Sequence, residues 1–316
     1  MWNLKVLGKY VNGNVTTTLF HDGTKIRCSK DDEQHFDFAE NIDIKITNKC
    51  TGTNCAYCHE GSGPDGKQSD ILHLPFIQTL HPFQEVALGG GNVFEYPDLI
   101  PLLEELKNKS VIVNITVNQV HFEQNIELLE KLYSESLIAG LGISLISPTD
   151  KFLDLLSKFK YRNNVVIHVI NGIVNPDDLY LFNDLGVKLL ILGYKHLRRG
   201  EAYWEKAEAE ITKKQTALKN EIAGRNLALF SVFKTISFDN LAIEQLEIKK
   251  LLSEDDWNKY YMGDEGTSTF YIDCVEMKFA KNSTAPKEER YILLDNVDDM
   301  FHYIQEEKST KVKEEE

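Results

Sequence analysis

Cys50, Cys55 and Cys58 stand within nine residues in the stretch CTGTNCAYCHE, directly after the strand-like run NIDIKIT. Thiolates are soft ligands for iron and zinc. Three this close cannot all pair with one another, but they can face one metal centre. Cys28 and Cys274 bring the total to five, and no apolar signal segment stands at the N-terminus. An odd count without such a segment is not the pattern of a secreted disulfide framework. The expectation is a cytoplasmic protein, where a tight cysteine cluster points to metal binding or redox chemistry.

Three metal centres suit the spacing. A structural zinc site needs four ligands, which Cys50, Cys55, Cys58 and His59 supply only with His59 bent back against Cys58. The x4, x2 spacing also matches a plant-type ferredoxin, whose fourth ligand would have to be the distant Cys274. The third centre is a 4Fe-4S cluster held by three thiolates, with one iron left open for a further ligand.

Composition narrows the partners. With 316 residues and 42% hydrophobic content the chain can bury a large core. A formal net charge of −14 argues against non-specific binding to nucleic acid or to an anionic membrane, since both need a cationic surface. The longest apolar runs are strand-sized, well short of the about 20 residues of a membrane span.

The elements that must position the thiols alternate in type from residue 40 to 235. Strand-like runs are IDIKI (42–46), EVAL (85–88), VIVNIT (111–116), LGISLI (141–146), VVIHVI (165–170) and VKLLIL (187–192), rich in β-branched residues. Between them, Phe122, Ile126, Leu129 and Tyr133 recur at helical spacing, as do Phe152, Leu156 and Phe159. Ser147 and Asn175 read as helix N-caps, each followed by proline and then an acid (Asp150, Asp178), and Gly186 reads as a C-cap. Six βα units in series predict an α/β fold, a partial (β/α)6 TIM-like barrel.

In such a barrel the chemistry collects at the C-terminal ends of the strands. Those ends carry the cysteine loop, then Gly89-Gly90-Gly91-Asn92, then Thr116 and Asn118. Ser144 and Ser147 follow, then Asn171-Gly172 and Gly193-Tyr194-Lys195. Glycine and short polar residues end many strands, but six such ends in register with a metal-binding loop favour a functional rim.

The loop CTGTNCAYC after the first strand, with Tyr57 just before the last cysteine, resembles the cluster motif of the radical S-adenosylmethionine superfamily. LGGGNVFEYPDL after strand two resembles its glycine-rich motif. The resemblance covers roughly residues 40–235, and it extends to bacterial and phage members of unassigned role. It implies a 4Fe-4S cluster on Cys50, Cys55 and Cys58, and S-adenosylmethionine as cofactor. Tyr57 would contact the adenine, while Gly89, Gly90, Gly91 and Asn92 would line the methionine end. Ser144 would meet the ribose or carboxylate, Asn171 the adenine, and Asn118 shares their rim. The implied activity is reductive cleavage of the cofactor to a 5′-deoxyadenosyl radical that abstracts hydrogen from substrate. The electron would come from a small flavodoxin- or ferredoxin-type donor. Two departures stand out: the first spacing is x4 where x3 is usual, and Asn92 takes the place often held by Glu, with Glu95 three residues on.

Outside the core, residues 1–39 read as strands with hairpin turns at VNGN (11–14) and HDG (21–23). Residues 236–305 read as a C-terminal α+β cap, containing the helical LAIEQLEIKKLL, the turn-like MGDEGT and the strand TFYIDCVEMKF. Residues 306–316 form a charged tail expected to be disordered. Cys274, in phase with Phe270 and Ile272, reads as a buried apolar thiol, and Cys28 as similar. His168 reads as a core histidine, whereas His59 and Glu60 sit where they could shape the cluster's surroundings. Lys195 is the candidate substrate-side cation, with Asp264 to Asp273 nearby. The substrate is left open between nucleotide, nucleic-acid base, metabolite and peptide. Two alternatives stay beside the radical enzyme: an iron-sulfur electron carrier or redox sensor, and a zinc-stabilised binding module.

Overall fold

The computed structural model describes residues 5–31, 33–53, 55–224 and 228–315. It is a mixed α/β structure with two sheets. β1 (Val6–Asn12), β2 (Val15–Phe20) and β3 (Lys25–Ser29) form an antiparallel meander. Gly13 turns its first hairpin at φ +59°, where a Cβ would lie 2.1 Å from the His35 carbonyl oxygen, so only glycine fits.

The large sheet has ten strands. Six follow in chain order: β4 (Asn41–Thr47), β5 (Glu85–Gly90), β6 (Ile112–Asn118), β7 (Gly140–Ser144), β8 (Val165–Ile170) and β9 (Lys188–Leu192). β10 (Ile236–Phe238) pairs parallel with β9, and β11 (Thr269–Asp273) parallel with β4. β12 (Lys278–Ala280) and β13 (Tyr291–Ile292) extend the β11 side antiparallel. Residues 236–305, expected as a cap, thus contribute four strands to the central sheet.

Alternation along most of the strands gives this sheet one dry face. Ile42, Ile44 and Ile46, Val86 and Leu88, Val113 and Ile115, and Leu189 and Ile191 are all buried on the face that the helices cover. The helix Leu99–Asn108 adds Leu102, Leu103 and Leu106, and the helix Asp150–Lys158 adds Phe152 and Leu156. Phe122 sits edge-on to Phe152 and Phe159, with ring centroids 5.7 and 5.5 Å apart. Each such fully buried side chain contributes about 1.5–3 kcal/mol. The opposite face carries several small or polar residues, among them Ala87, Gly89, Asn114, Thr116, Gly140 and Gly142, and leaves a cavity of about 780 Å³. Among the described residues no helix is long and apolar enough to cross a membrane.

Local signals misplace several elements. The helix begins at Thr149, whose side chain caps Phe152 N, and not at Ser147. Ser147 and Ile146 N–H groups both donate to Gln119 Oε1, which ties that stretch to the helix that starts at Gln119. Asn175 precedes a 3-10 helix, Pro176–Phe182, without a side-chain cap bond. Gly186, at φ +67°, lies beyond that helix's end and turns the chain into β9. The periodic run through Phe122 and Tyr133 is two helices, Gln119–Gln124 and Ile126–Ser134.

TFYIDCVEMKF is a hairpin, because Asp273 Oδ1 accepts from Val275 and Glu276 N–H and turns the chain there. Cys274 is buried as expected, but Cys28 is exposed. The helix Val297–Glu315 runs through the charged segment read as a tail; Glu and Lys are good helix formers.

Candidate functional site

The chain leaving β4 folds back on itself to present the thiols. Cys50 N–H donates to Gly63 O at 2.9 Å, and Cys58 N–H to Cys55 O at 3.2 Å. Glu95 holds the outer edge, accepting from Thr51 N–H and Thr51 Oγ1 at 2.8 Å each and from Asn92 Nδ2 at 2.9 Å. His121 Nε2 donates to Thr51 O at 2.8 Å, so its tautomer carries the proton on Nε2. Asn118, at the end of β6, donates through Nδ2 to Cys55 Sγ at 3.5 Å, and Thr53 Oγ1 lies 3.3 Å from Cys50 Sγ.

Cys50, Cys55 and Cys58 therefore line one cavity, with Tyr57, Gly90, Gly91, Asn118, Ser144 and Lys195. Gly89 lines the adjoining larger cavity, where a Cβ would meet nothing within 4 Å. Two expected residues are elsewhere. Asn92 is buried and its side chain caps the 3-10 helix Val93–Glu95. Asn171 is fully buried behind the strand ends, where its Nδ2 donates to Gln245 Oε1 at 3.1 Å. Gly90 and Gly91 are small for the sake of the fold: a Cβ would lie 2.2 Å from Thr47 O and 2.1 Å from Lys49 O respectively.

Burial pushes the Cys50 and Cys55 thiols up, against the hydrogen bond from Thr53 and the charge of Arg199. Arg199 also donates to Ser62 O at 2.8 Å, and Arg198 to His59 O at 2.8 Å, pinning the end of the loop to the helix Arg199–Ala223. Lys45 is buried on β4 with its Nζ 2.8 Å from Glu60 Oε2 and 3.2 Å from Asp273 Oδ2. Burial alone would raise the Glu60 carboxyl, but His59 and Lys45 outweigh it and hold it well below the usual carboxylate range. The sequence reading missed Lys45, His121 and Arg199. Lys45 alternates with apolar residues like any outward polar side chain, and its partner Asp273 is 228 residues away.

A zinc ion needs its ligands converging on one point about 2.3 Å from each sulfur. Among the described residues no three Cys, His, Asp or Glu side chains are placed to hold a metal ion. His59, the fourth ligand of that reading, faces Glu60 at 3.3 Å. Cys274 lies in the β11 turn, buried among apolar residues. Cys50, Cys55 and Cys58 are free thiols that line one cavity.

No protein-family model matches the sequence, and no curated protein does. Among solved structures, Streptococcus suis SuiB bound to precursor peptide SuiA matches with a TM-score of 0.50 at 13% identity, over 78% of this chain and 60% of that one. The chain has a SuiB-like fold. SuiB crystallised alone and SuiB bound to S-adenosylmethionine give TM-scores of 0.46 and 0.45, at 12% and 13% identity, over 78% of this chain and 61% and 59% of theirs. The chain spans about three-fifths of the SuiB length. At 13% identity the likeness is one of fold.

Proposed function

We propose that the chain is a radical S-adenosylmethionine enzyme, with its cluster on Cys50, Cys55 and Cys58 and the cofactor along Gly89, Gly90 and Gly91. The observation that carries this reading is the meeting of three unpaired thiols, the glycine edge, Asn118 and Ser144 on one cavity at the C-terminal ends of the parallel strands. When bound, cluster and cofactor supply a 5′-deoxyadenosyl radical that abstracts hydrogen from substrate.

The chain's own residues hold and orient. Glu95 and His121 fix the backbone at Thr51, Asn118 donates to Cys55, and the Lys45–Glu60 pair anchors the residue that follows His59. Tyr57, which lines the cavity, packs edge-on against Tyr203 with ring centroids 5.9 Å apart. The partial-barrel reading is supported by one contact. Lys195, after β9, donates to Ser283 Oγ, after β12, at 3.0 Å. Six strands separate β9 from β12 in the sheet, so a flat sheet would hold them roughly 34 Å apart at about 4.8 Å per strand.

The substrate we favour is a peptide, on the ground that SuiB, the fold neighbour, binds a precursor peptide. The test is anaerobic reconstitution, iron and sulfide analysis, and a search for 5′-deoxyadenosine under dithionite with a reducing flavodoxin as the second donor. Protein that binds cluster-level iron yet never cleaves the cofactor would favour the electron-carrier reading.

A further inference from the structure

The C-terminal segment encloses a cavity of about 860 Å³ that shares no residue with the thiol cavity. It runs between the helix Asn240–Gln245, the helix Glu254–Tyr260 and β13. Its wall is aromatic and aliphatic. Trp257 and Tyr261 stack with ring centroids 4.2 Å apart, and Ile243, Tyr291 and Ile304 complete it. Leu251, Leu252, Tyr260 and Met262 on the flanking chain are exposed, as is Ile292 beside Tyr291. Exposed apolar side chains gathered beside a cavity mark an interaction surface.

Six carboxylates and three lysines line the same cavity. Lys219 and Lys250 pair with Glu247, and Lys281 pairs with Glu289 at 3.2 Å. Neutral groups hold others: Asn282 Nδ2 donates to Glu265, and the Tyr291 hydroxyl to Glu307. Such donors orient a carboxylate without cancelling its charge, so an acidic excess stands against the apolar wall. Lys249 Nζ lies 5.2 Å from the centre of the Trp257 ring, which shows that this wall accepts an ammonium. Glu265 also connects the cavity to the candidate site. Its partner Asn282 precedes Ser283, whose hydroxyl accepts from Lys195, on the thiol cavity, at 3.0 Å. The two cavities thus meet at residues 282–283, and a chain seated in one can continue towards the other.

We infer that this cavity docks a basic peptide, whose aliphatic or aromatic side chains rest on Trp257 and Tyr261 and whose lysine or arginine side chains meet Glu265 and Glu307. Apolar anchors on an aromatic wall supply affinity, and charges around them select the partner. Complementary charge favours this occupant over a second copy of the chain, which itself carries a net charge of −14. That the peptide is the substrate rests on the enzyme proposed above; its docking here does not.

The experiment titrates two acetylated, amidated peptides, Lys-Leu-Lys-Phe-Lys and Gln-Leu-Gln-Phe-Gln, into the full-length, cluster-reconstituted protein without S-adenosylmethionine, by calorimetry. The expected result is a preference of about tenfold or more for the lysine peptide in the parent. Glu265→Gln combined with Glu307→Gln should remove most of that preference. Glu104→Gln combined with Glu127→Gln, the same change of charge at exposed positions outside the cavity, should keep it. Trp257→Phe retains an aromatic wall and should retain the preference, but lose the change in tryptophan fluorescence that the lysine peptide causes in the parent. Equal binding of the two peptides by the parent overturns the inference, as does an equal loss in the two double variants. A fluorescence response unchanged in Trp257→Phe places the peptide elsewhere and overturns it too. So does a parent dimer in sedimentation that Trp257→Ala abolishes, which would make the occupant a second copy. Cofactor cleavage on the same preparation reports separately on the enzyme: its absence beside an intact preference sinks the enzyme and leaves the docking site standing.

Discussion

Lys195 Nζ donates to Ser283 Oγ at 3.0 Å and joins the end of β9 to the end of β12 across the open side of the sheet. A bond between two half-buried side chains is worth about 1 kcal/mol. Lys195→Ala and Ser283→Ala should each cost about that much in urea unfolding. The double variant should cost no more than the larger single loss, because both remove one interaction. Fully additive losses would show that the bond does not tie the sheet ends.

Iron and sulfide analysis should separate the five cysteines. Cys50→Ala, Cys55→Ala and Cys58→Ala are each expected to lose the cluster, while Cys28→Ala and Cys274→Ala keep the parent content. Cys28 is exposed on β3 and Cys274 is buried in the core, so neither faces the other three. Retention after Cys55→Ala would sink the assignment.

The glycine run divides into structural and ligand-facing positions. Gly90→Val forces a side chain onto a residue at φ +115° and into Thr47 O, and should cost more than about 1 kcal/mol in stability. Gly89→Val fills open cavity and should leave the melting temperature within a few degrees while abolishing binding of S-adenosylmethionine. A Gly89→Val protein that binds the cofactor at parent affinity would place the methionine end elsewhere.

Glu95 accepts three hydrogen bonds at the edge of the cysteine loop. Glu95→Ala should release iron to a chelator several-fold faster than the parent at unchanged initial loading. Identical release rates would show that His121 alone suffices to hold Thr51.

Burial pushes the His168 imidazole down to about 4, from about 6.5 in an unfolded chain. The folded state therefore holds it neutral. Its stabilising contribution is present above pH about 6.5 and is lost as pH falls from there through about 4. Unfolding of the parent from pH 7 to 4 should lose more stability than that of His168→Gln. Parallel pH profiles would mean that the imidazole is solvated and titrates normally.

Residues 42–192 show how far local pattern reaches. IDIKI, VIVNIT and VVIHVI alternate with a period of two because one face of each strand meets helices, and all six runs are strands in the sheet. The cysteine spacing and the glycine run were legible for the same reason, since each is a local property. Helix ends were not: Gln119 Oε1, not a cap, decides where Ser147 sits. Asn92 and Asn171 lie at the expected strand ends, but their side chains have partners, Glu95 and Gln245, that no spacing predicts.

By itself the sequence determined the order of the βα units, the three thiols and the rim on which they stand, because hydrophobic period and turn chemistry act within a few residues. Tertiary structure alone decided that β11, from a segment read as a cap, lies beside β4. The pairing of Lys45 with Asp273, beside its nearer partner Glu60, follows from that neighbour. It also decided that Asp43, one register step below Lys45 on the same face, has no such partner. Charged residues on one strand look alike in sequence, and whether each meets a partner such as Asp273, 228 positions from Lys45, is set by the tertiary fold.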